Sequence, residues 1–297
     1  MKIPKQYKGY WILFIGALIG SGNYLCTKYG FQLYPQANLI NTMFWSFFTG
    51  IIFTPFFVYK KSNQKILVNE LTKHKNLLLK SILLSSIGVV LWFYSMKFGT
   101  PGTISFLKKS DIIVTFLFGT FFLKERISKK ELSGAIIAIT GFVILSNSSL
   151  SETPVLSILA IIMAQVFYVL QSFFIKKEGQ NINSFAFSFI RILGMAILMG
   201  LFGISTNQIS LPELEFILFF GFGRIISGFL FRSAYFEAHK YLEISKISTF
   251  LLVSPVIILF TSYILLHESI TLNKCIGAGI ILCGLIIFTV KKTQETN

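Results

Sequence analysis

Ten apolar stretches, most of them about 20 residues long, alternate with short polar segments along the chain. A helix that crosses a membrane needs about 20 mostly apolar residues, whereas the strands of a membrane barrel are only about ten residues long and alternate in polarity. The pattern therefore predicts an all-α membrane protein with ten transmembrane helices. The predicted spans are 10–27, 39–59, 77–97, 101–123, 132–147, 154–175, 184–204, 215–236, 245–266 and 273–290.

Composition supports a membrane protein. Of the 297 residues, 54% are hydrophobic and only 13% are charged, against about 25% charged residues in a typical soluble domain. A soluble fold could not bury so much apolar surface, and a disordered chain would be far less hydrophobic. The three cysteines are too few for a disulfide scaffold. An uncleaved first helix is expected rather than a secretory signal, because no small-x-small cleavage site follows it.

The positive charge, formally +15, is unevenly distributed between the loops. With the N-terminus in the cytoplasm, nineteen Lys and Arg residues fall in cytoplasmic segments and three, Lys28, Lys97 and Lys274, fall outside. Loops rich in Lys and Arg stay in the cytoplasm. The charge pattern thus predicts a multi-pass protein of the inner (cytoplasmic) cell membrane with both termini cytoplasmic. It also argues against nucleic acid as a partner, because the basic residues are explained by topology.

An internal repeat relates the two halves of the chain. Residues 123–145 and 266–288 match at an offset of 143, including one glutamate pair, Glu125 and Glu268, and two glycine pairs. The glycine pairs are Gly134 with Gly277 and Gly141 with Gly284. Each half, 1–150 and 151–297, would hold five helices. Because five is odd, the halves must have opposite orientations, which is the inverted repeat of many transporters.

Three motifs resemble those of the drug/metabolite transporter superfamily, in its EamA-type branch of ten-helix permeases. The first helix reads Gly20-Ser21-Gly22-Asn23-Tyr24 with Lys28 after it. Each half carries a Leu-x-Glu turn, at Glu125 or Glu268, before a final helix that contains glycine. The fourth helix of the second half contains Ser254-Pro255-Val256. The resemblance covers nearly the whole chain and implies a secondary transporter that works by alternating access around a central cavity.

Ionisable residues inside the predicted spans are the first candidates for a functional site, because burying a charge in a membrane is costly. Lys108, Lys109 and Asp111 lie in the fourth span, Asp111 about 15 Å from its start and so near the middle of the bilayer. Arg224 lies at a similar depth in the eighth span. Lys108, Lys109 and Arg224 are therefore predicted to bind substrate. The structural alternatives are a helix-stabilising Lys108–Asp111 pair and an arginine bonded to backbone carbonyls.

Asp111 is predicted to act in gating, through contact with Arg224, or as a proton carrier, which makes the proton a candidate coupling ion. The remaining cations of the spans, Arg191 and Arg232, lie nearer the cytoplasmic ends, where long side chains can reach water. Away from the ends of the predicted spans there are five cations and one acid, an imbalance that favours an anionic or zwitterionic solute.

Polar and aromatic residues on the helices that the resemblance places around the cavity complete the predicted substrate site, and ordinary packing is the simpler explanation for any single one of them. They are Asn23, Tyr24, Trp92, Tyr94, Gln165, Tyr168 and Ser248.

The function expected from these features is secondary transport of a small organic metabolite, such as an amino acid or another zwitterionic or anionic solute, by an exporter or exchanger. The alternatives are efflux of drugs or organic cations, and a channel-like protein without alternating access. No enzyme activity, cofactor or metal is predicted, because the three histidines are scattered and no phosphate-binding or nucleophile motif occurs. The expected partners are the substrate and the lipid bilayer; monomer and homodimer both stay open.

Overall fold

A computed structural model describes residues 5–98, 108, 128–145, 154–254, 256–257, 260 and 272–289. The described elements are helical, as the apolar pattern predicts. In chain order the helices are α1 (Lys5–Leu33), α2 (Leu39–Phe48), α3 (Thr54–Tyr59), α4 (Lys61–Lys73), α5 (Lys75–Phe98), α6 (Lys129–Leu145), α7 (Val155–Glu178), α8 (Ser184–Ser205), α9 (Leu214–Arg224), α10 (Arg232–Ala238), α11 (Ile244–Phe250) and α12 (Leu272–Thr289).

Five helical stretches of the described residues are long and apolar enough to cross a membrane. They correspond to the second, third, sixth, seventh and eighth predicted spans. The first and tenth predicted spans fall within α1 and α12. The fourth span, 101–123, lies outside the described residues apart from Lys108, and of the ninth span the structure describes 245–254, 256–257 and 260.

Two of the spans are not regular α-helices throughout. A 3-10 turn at Thr49–Phe53 separates α2 from α3, where Pro55 occupies the first turn. Proline fits the start of a helix because it has no N–H to donate, but it interrupts the hydrogen bonds of a continuing one. A π-helical segment, Ile225–Phe231, separates α9 from α10.

Helix contacts relate the two halves by a pseudo-two-fold arrangement. The first span, α1, packs on α9, the π-helical segment and α10, which together form the eighth span. Its counterpart contact, between the sixth span α7 and the third span α5, is also present. The second span packs on the seventh, and the fifth span α6 packs on the tenth, α12. An inverted repeat of five helices requires such pairings. Exchanging the two halves turns each of these helix contacts into itself or into another contact that is observed.

Glycines bring α6 and α12 into backbone contact. A Cβ atom placed on Gly134 would lie 2.8 Å from the carbonyl oxygen of Gly284, and one on Gly141 would lie 2.8 Å from that of Gly277. Small residues allow membrane helices to approach this closely, and dispersion contacts between the backbones then stabilise the pair. The glycines that match in the repeat are therefore the ones that join the two halves.

Polar contacts tie the halves together at both ends of the bundle. At the lysine-rich end, defined here by Lys80, Lys176, Lys240 and Lys246, the ammonium of Lys246 lies 3.2 Å from the carboxylate of Glu131 in the other half. At the opposite end, the side-chain amide of Asn41 donates to the hydroxyl of Ser210 at 2.9 Å, and the backbone N–H of Ser210 donates to Asn41 at 3.1 Å.

The amphipathic helix α4 lies in the basic segment between the second and third spans. Its Glu70 is buried and accepts a hydrogen bond of 2.7 Å from the backbone N–H of Asn183, just before α8. Burial raises the pKa of the Glu70 carboxyl despite this hydrogen bond. The contact fixes α4 against the second half of the chain.

Candidate functional site: an arginine among aromatic rings

Arg224 ends α9 inside an aromatic cluster near the middle of its span. Its side chain is 7% exposed. The guanidinium carbon lies 4.8 Å from the ring centre of Phe47, 5.2 Å from that of Phe93 and 5.3 Å from that of Trp92. Ring faces attract cations, and a guanidinium held among them keeps its N–H edge available for an anion. Helices α2, α5 and α9 thus build a cation-containing aromatic site, which we call the Arg224 site.

No described residue accepts a hydrogen bond from Arg224 or forms an ion pair with it, and its Nε is buried without a described partner. A buried guanidinium loses its hydration, and aromatic rings replace only part of that energy. Removing an uncompensated charge of this kind usually stabilises a protein. An anionic ligand would supply the missing acceptors, so Arg224 is the first candidate for binding such a ligand.

The π-helical segment that follows Arg224 shapes the site through Gly228. A Cβ atom at this position would lie 2.8 Å from Cδ of Arg224, so the glycine leaves room for the arginine side chain. The Gly228 carbonyl accepts a hydrogen bond of 2.6 Å from Arg191. π-Helical turns often mark functional sites, because the wider turn leaves backbone groups free for other partners.

Arg191 does not reach water from the end of its span, contrary to the snorkelling interpretation. It is 3% exposed, and its guanidinium also contacts the Ser85 hydroxyl at 3.3 Å and the Met195 sulfur at 3.3 Å. The position of Arg191 along its span alone suggested an exposed guanidinium. The nearby carbonyl of Gly228, freed by the π-helical turn, makes burial possible instead.

Arg232 begins α10 and lies near the rings of two tyrosines. Its guanidinium carbon lies 5.0 Å from the ring centre of Tyr168 and 5.3 Å from that of Tyr235. Tyr168 lies within electrostatic range of Arg191, Arg224 and Arg232. Three positive charges therefore surround one phenol group.

Four of the residues predicted for the substrate site are brought close together. Lys108 places its ammonium nitrogen 5.3 Å from the ring centre of Trp92, which also contacts Arg224. Tyr168 joins them through its interaction with Arg224. The site residues that the sequence did not single out are Phe47 and Phe93, whose hydrophobic runs carry no mark that separates them from ordinary packing.

Other predicted residues lie in different surroundings. Gln165 is buried and donates to the carbonyl of Ile161, one turn earlier in its own helix, at 3.3 Å. Tyr94 stacks on Phe98 with ring centres 4.8 Å apart. Ser248 is buried in α11, which packs on α1, α7 and α12. Lys109, Asp111 and the side chains of Asn23 and Tyr24 lie outside the described residues, so the Arg224–Asp111 contact stays a prediction.

The described residues contain no group of three His, Cys, Asp or Glu side chains that could hold a metal ion. Their acids lie mainly at the two ends of the bundle, as with Glu131, Glu213 and Glu237. Among the described residues, the Arg224 site presents aromatic faces and hydrogen-bond donors, a setting that suits reversible binding of a ligand.

Comparisons with known proteins agree with this architecture. The "Probable amino-acid metabolite efflux pump" of Salmonella typhimurium is 26% identical over 225 residues, which are 69% of this chain and 74% of that protein. The "Uncharacterized transporter YoaV" of Bacillus subtilis is 23% identical over 66% of this chain and 69% of its own length. A solved crystal structure superposes with a TM-score of 0.73 at 16% identity, covering 95% of this chain and 97% of its own.

The model of the EamA-like transporter family matches twice, over residues 7–147 and 155–290. The two matches together span most of the chain. The resemblance noted in the sequence is thereby confirmed, and with it an all-helical, multi-pass membrane protein that moves a small molecule. The chain belongs to the EamA-like transporter family.

Proposed function

We propose that the protein is a secondary transporter that exports or exchanges a small metabolite with at least one carboxylate, such as an amino acid, and binds that carboxylate at Arg224. The observation that carries the proposal is a buried guanidinium with no described hydrogen-bond or ion-pair partner. Arginine forms bidentate, charge-assisted hydrogen bonds with carboxylates, and these are strong in a site that excludes water.

The arrangement of the two halves supports alternating access. They meet along the α6–α12 contact and through polar contacts at both ends of the bundle. A carrier must open these ends in turn, and one half rocking against the other around a central site does so. We place the lysine-rich end and both termini in the cytoplasm, because Lys and Arg are retained there.

Export of an organic cation is the main alternative. A site for such a substrate needs an accessible acid, whereas the described groups around Trp92 are the cations Lys108 and Arg224. A relative named as an amino-acid metabolite efflux pump also favours an amino acid or a similar zwitterion.

Proton coupling through Asp111 is part of the proposal. Replacing Asp111 by Asn is expected to remove the pH dependence of transport, and unchanged pH dependence would contradict proton carriage by this residue.

A binding screen followed by a flux assay tests the proposal. Thermal unfolding of the purified protein would be followed with amino acids, carboxylates, phosphorylated metabolites, nucleosides and organic cations, since a ligand of the folded state raises the melting temperature by mass action. We expect stabilisation by carboxylates or amino acids and saturable exchange of the same compound in proteoliposomes. Stabilisation by organic cations alone would contradict an anion site, and flux that does not saturate would indicate a channel.

The Glu131–Lys246 ion pair should hold the lysine-rich end closed. Glu131 also closes a capping box at the start of α6, with its carboxylate accepting from the Ser128 N–H at 2.8 Å and its own N–H donating to the Ser128 hydroxyl at 3.2 Å. Replacing Lys246 by Gln is expected to cost up to about 1 kcal/mol and to speed amide exchange in α11 by up to about fivefold.

Lys246→Gln also breaks a 2.6 Å ion pair with Glu243 in the same half, so the matched control is Glu243→Gln, which breaks that pair alone. Equal effects of the two substitutions on α11 would contradict a role in holding the halves together. Burial tends to raise the pKa of the Glu131 carboxyl, but hydrogen bonds from Ser128 and the charge of Lys246 lower it overall. The ion pair therefore contributes fully above the unfolded-state pKa and is lost as the pH falls through the folded-state value.

A further inference from the structure

Arg232 offers a second anion-binding group beside the Arg224 site. The rings of Tyr168 and Tyr235 lie near its guanidinium. Among the described residues, none accepts a hydrogen bond from Arg232 or forms an ion pair with it. A guanidinium beside aromatic rings keeps an N–H edge able to hold a carboxylate through two parallel hydrogen bonds.

The π-helical segment turns Arg224 and Arg232 towards the same side. Residues eight apart in a regular α-helix are separated by about 80° around the axis, since each residue turns the chain by about 100°. A π-helical turn takes up one additional residue, so the two arginines are placed like residues seven apart, within about 20° of each other. Their backbones are then no more than about 12 Å apart along the axis.

Charge balance calls for more than one negative group. Arg224 and Arg232 lie within electrostatic range of each other, and Arg191 lies within range of both. Arg191 already donates to the Gly228 carbonyl and to Ser85. A single carboxylate at Arg224 would leave Arg232, which is only partly buried, without an anion among the described residues, and the two like charges would still repel each other.

We infer that the preferred substrate is a dicarboxylate, acidic amino acids included, which places one carboxylate on Arg224 and the other on Arg232. This inference rests on the proposed function and narrows its substrate class. A phosphate monoester carries both of its charges on one group. The two arginines start from helix positions about 12 Å apart, so two separate carboxylates reach both guanidinium groups more readily than one phosphate does.

The test compares ligands of equal length on the purified, full-length protein. Isothermal titration would be made with straight-chain monocarboxylates, the α,ω-dicarboxylates of the same carbon number, and glycerol phosphate. The expected result is an affinity about tenfold or more higher for the best dicarboxylate than for its monocarboxylate, with an optimum in chain length. Equal affinities, or tightest binding of glycerol phosphate, would overturn the inference.

The variant Arg232→Gln tests whether Arg232 holds the second carboxylate. It should lower dicarboxylate affinity by about tenfold and monocarboxylate affinity much less, so that the two ligand classes bind with similar affinity. Equal weakening of both ligand classes would overturn the inference. Lys177→Gln, which removes one exposed cation from the end of α7, is the matched control and should change neither affinity.

The inference and the proposed function fail in different ways. If monocarboxylates and dicarboxylates bind equally and both depend on Arg224, the anion carrier stands and the dicarboxylate preference is wrong. If no carboxylate binds in a way that depends on Arg224, the proposed function is itself wrong. The comparison of ligands on the wild-type protein requires no substitution. It therefore tests the inference even if the Arg232→Gln variant folds poorly.

Discussion

Replacing Arg224 by Gln is expected to weaken carboxylate binding strongly while leaving the ligand-free protein at least as stable as before. A charge-assisted hydrogen-bond pair is worth about 2–3 kcal/mol, so affinity should fall by about 30- to 150-fold. The stability of the free protein should not fall, because the substitution removes a buried charge that has no described partner. Binding would be measured by titration and stability by thermal unfolding of the same preparations.

Two further variants help to explain the effect of Arg224→Gln on binding. Arg224→Lys keeps the charge and loses the bidentate geometry, so its affinity should lie between those of wild type and Arg224→Gln. Lys177→Gln changes the net charge by the same amount far from the site and should bind as wild type does. If Arg224→Gln instead unfolds at a much lower temperature and still binds carboxylates, the arginine is a structural residue.

Replacing Gly284 by Ala is expected to be the most destabilising single-methyl change in the described part of the chain. Its Cβ would lie 2.7 Å from the carbonyl oxygen of Gly134 and would also meet the backbone of Ala138. Backbone atoms cannot turn aside as a flexible side chain can, so α6 and α12 must separate. Overpacking of this kind costs about 1–3 kcal/mol, which a lower midpoint of thermal or denaturant unfolding would report.

Gly279 lies in the same helix and provides the control. A Cβ atom at this position would meet nothing within 4 Å. Gly279→Ala should therefore leave stability unchanged or raise it slightly, since alanine loses less backbone entropy than glycine in a helix. Equal destabilisation by the two substitutions would show that the α6–α12 crossing does not depend on close glycine contact.

The architecture could be predicted from sequence because the membrane restricts the choices. Apolar runs of spanning length must form helices, and the glycine matches at 134 with 277 and at 141 with 284 point to the contact that the structure contains. The interruptions were not predicted. A π-helical segment such as Ile225–Phe231 depends on how neighbouring helices pack, here on Arg191 reaching the Gly228 carbonyl, and no local pattern specifies that contact.

Of the candidate site, the sequence predicts only the charged residues, because burying a charge in a membrane is costly. Arg224 was identified because a cation at mid-membrane depth needs an explanation. Phe47 and Phe93 were not, since 33 phenylalanines occur in the chain and their role depends on which of them face Arg224. Arg191 was misjudged as exposed, because depth along a helix does not reveal which partner lies across from it.

Trp92 makes the central claim directly measurable. The chain has three tryptophans, and Trp11 is 61% exposed while Trp92 is buried against Arg224. With Trp11 and Trp45 replaced by Phe, Trp92 becomes the single fluorophore, and titration with a carboxylate substrate would report on the Arg224 site. We expect a saturable change in Trp92 emission that is lost in Arg224→Gln. Saturable transport of the same compound with no change in Trp92 emission, or a change that persists in Arg224→Gln, would contradict substrate binding at Arg224.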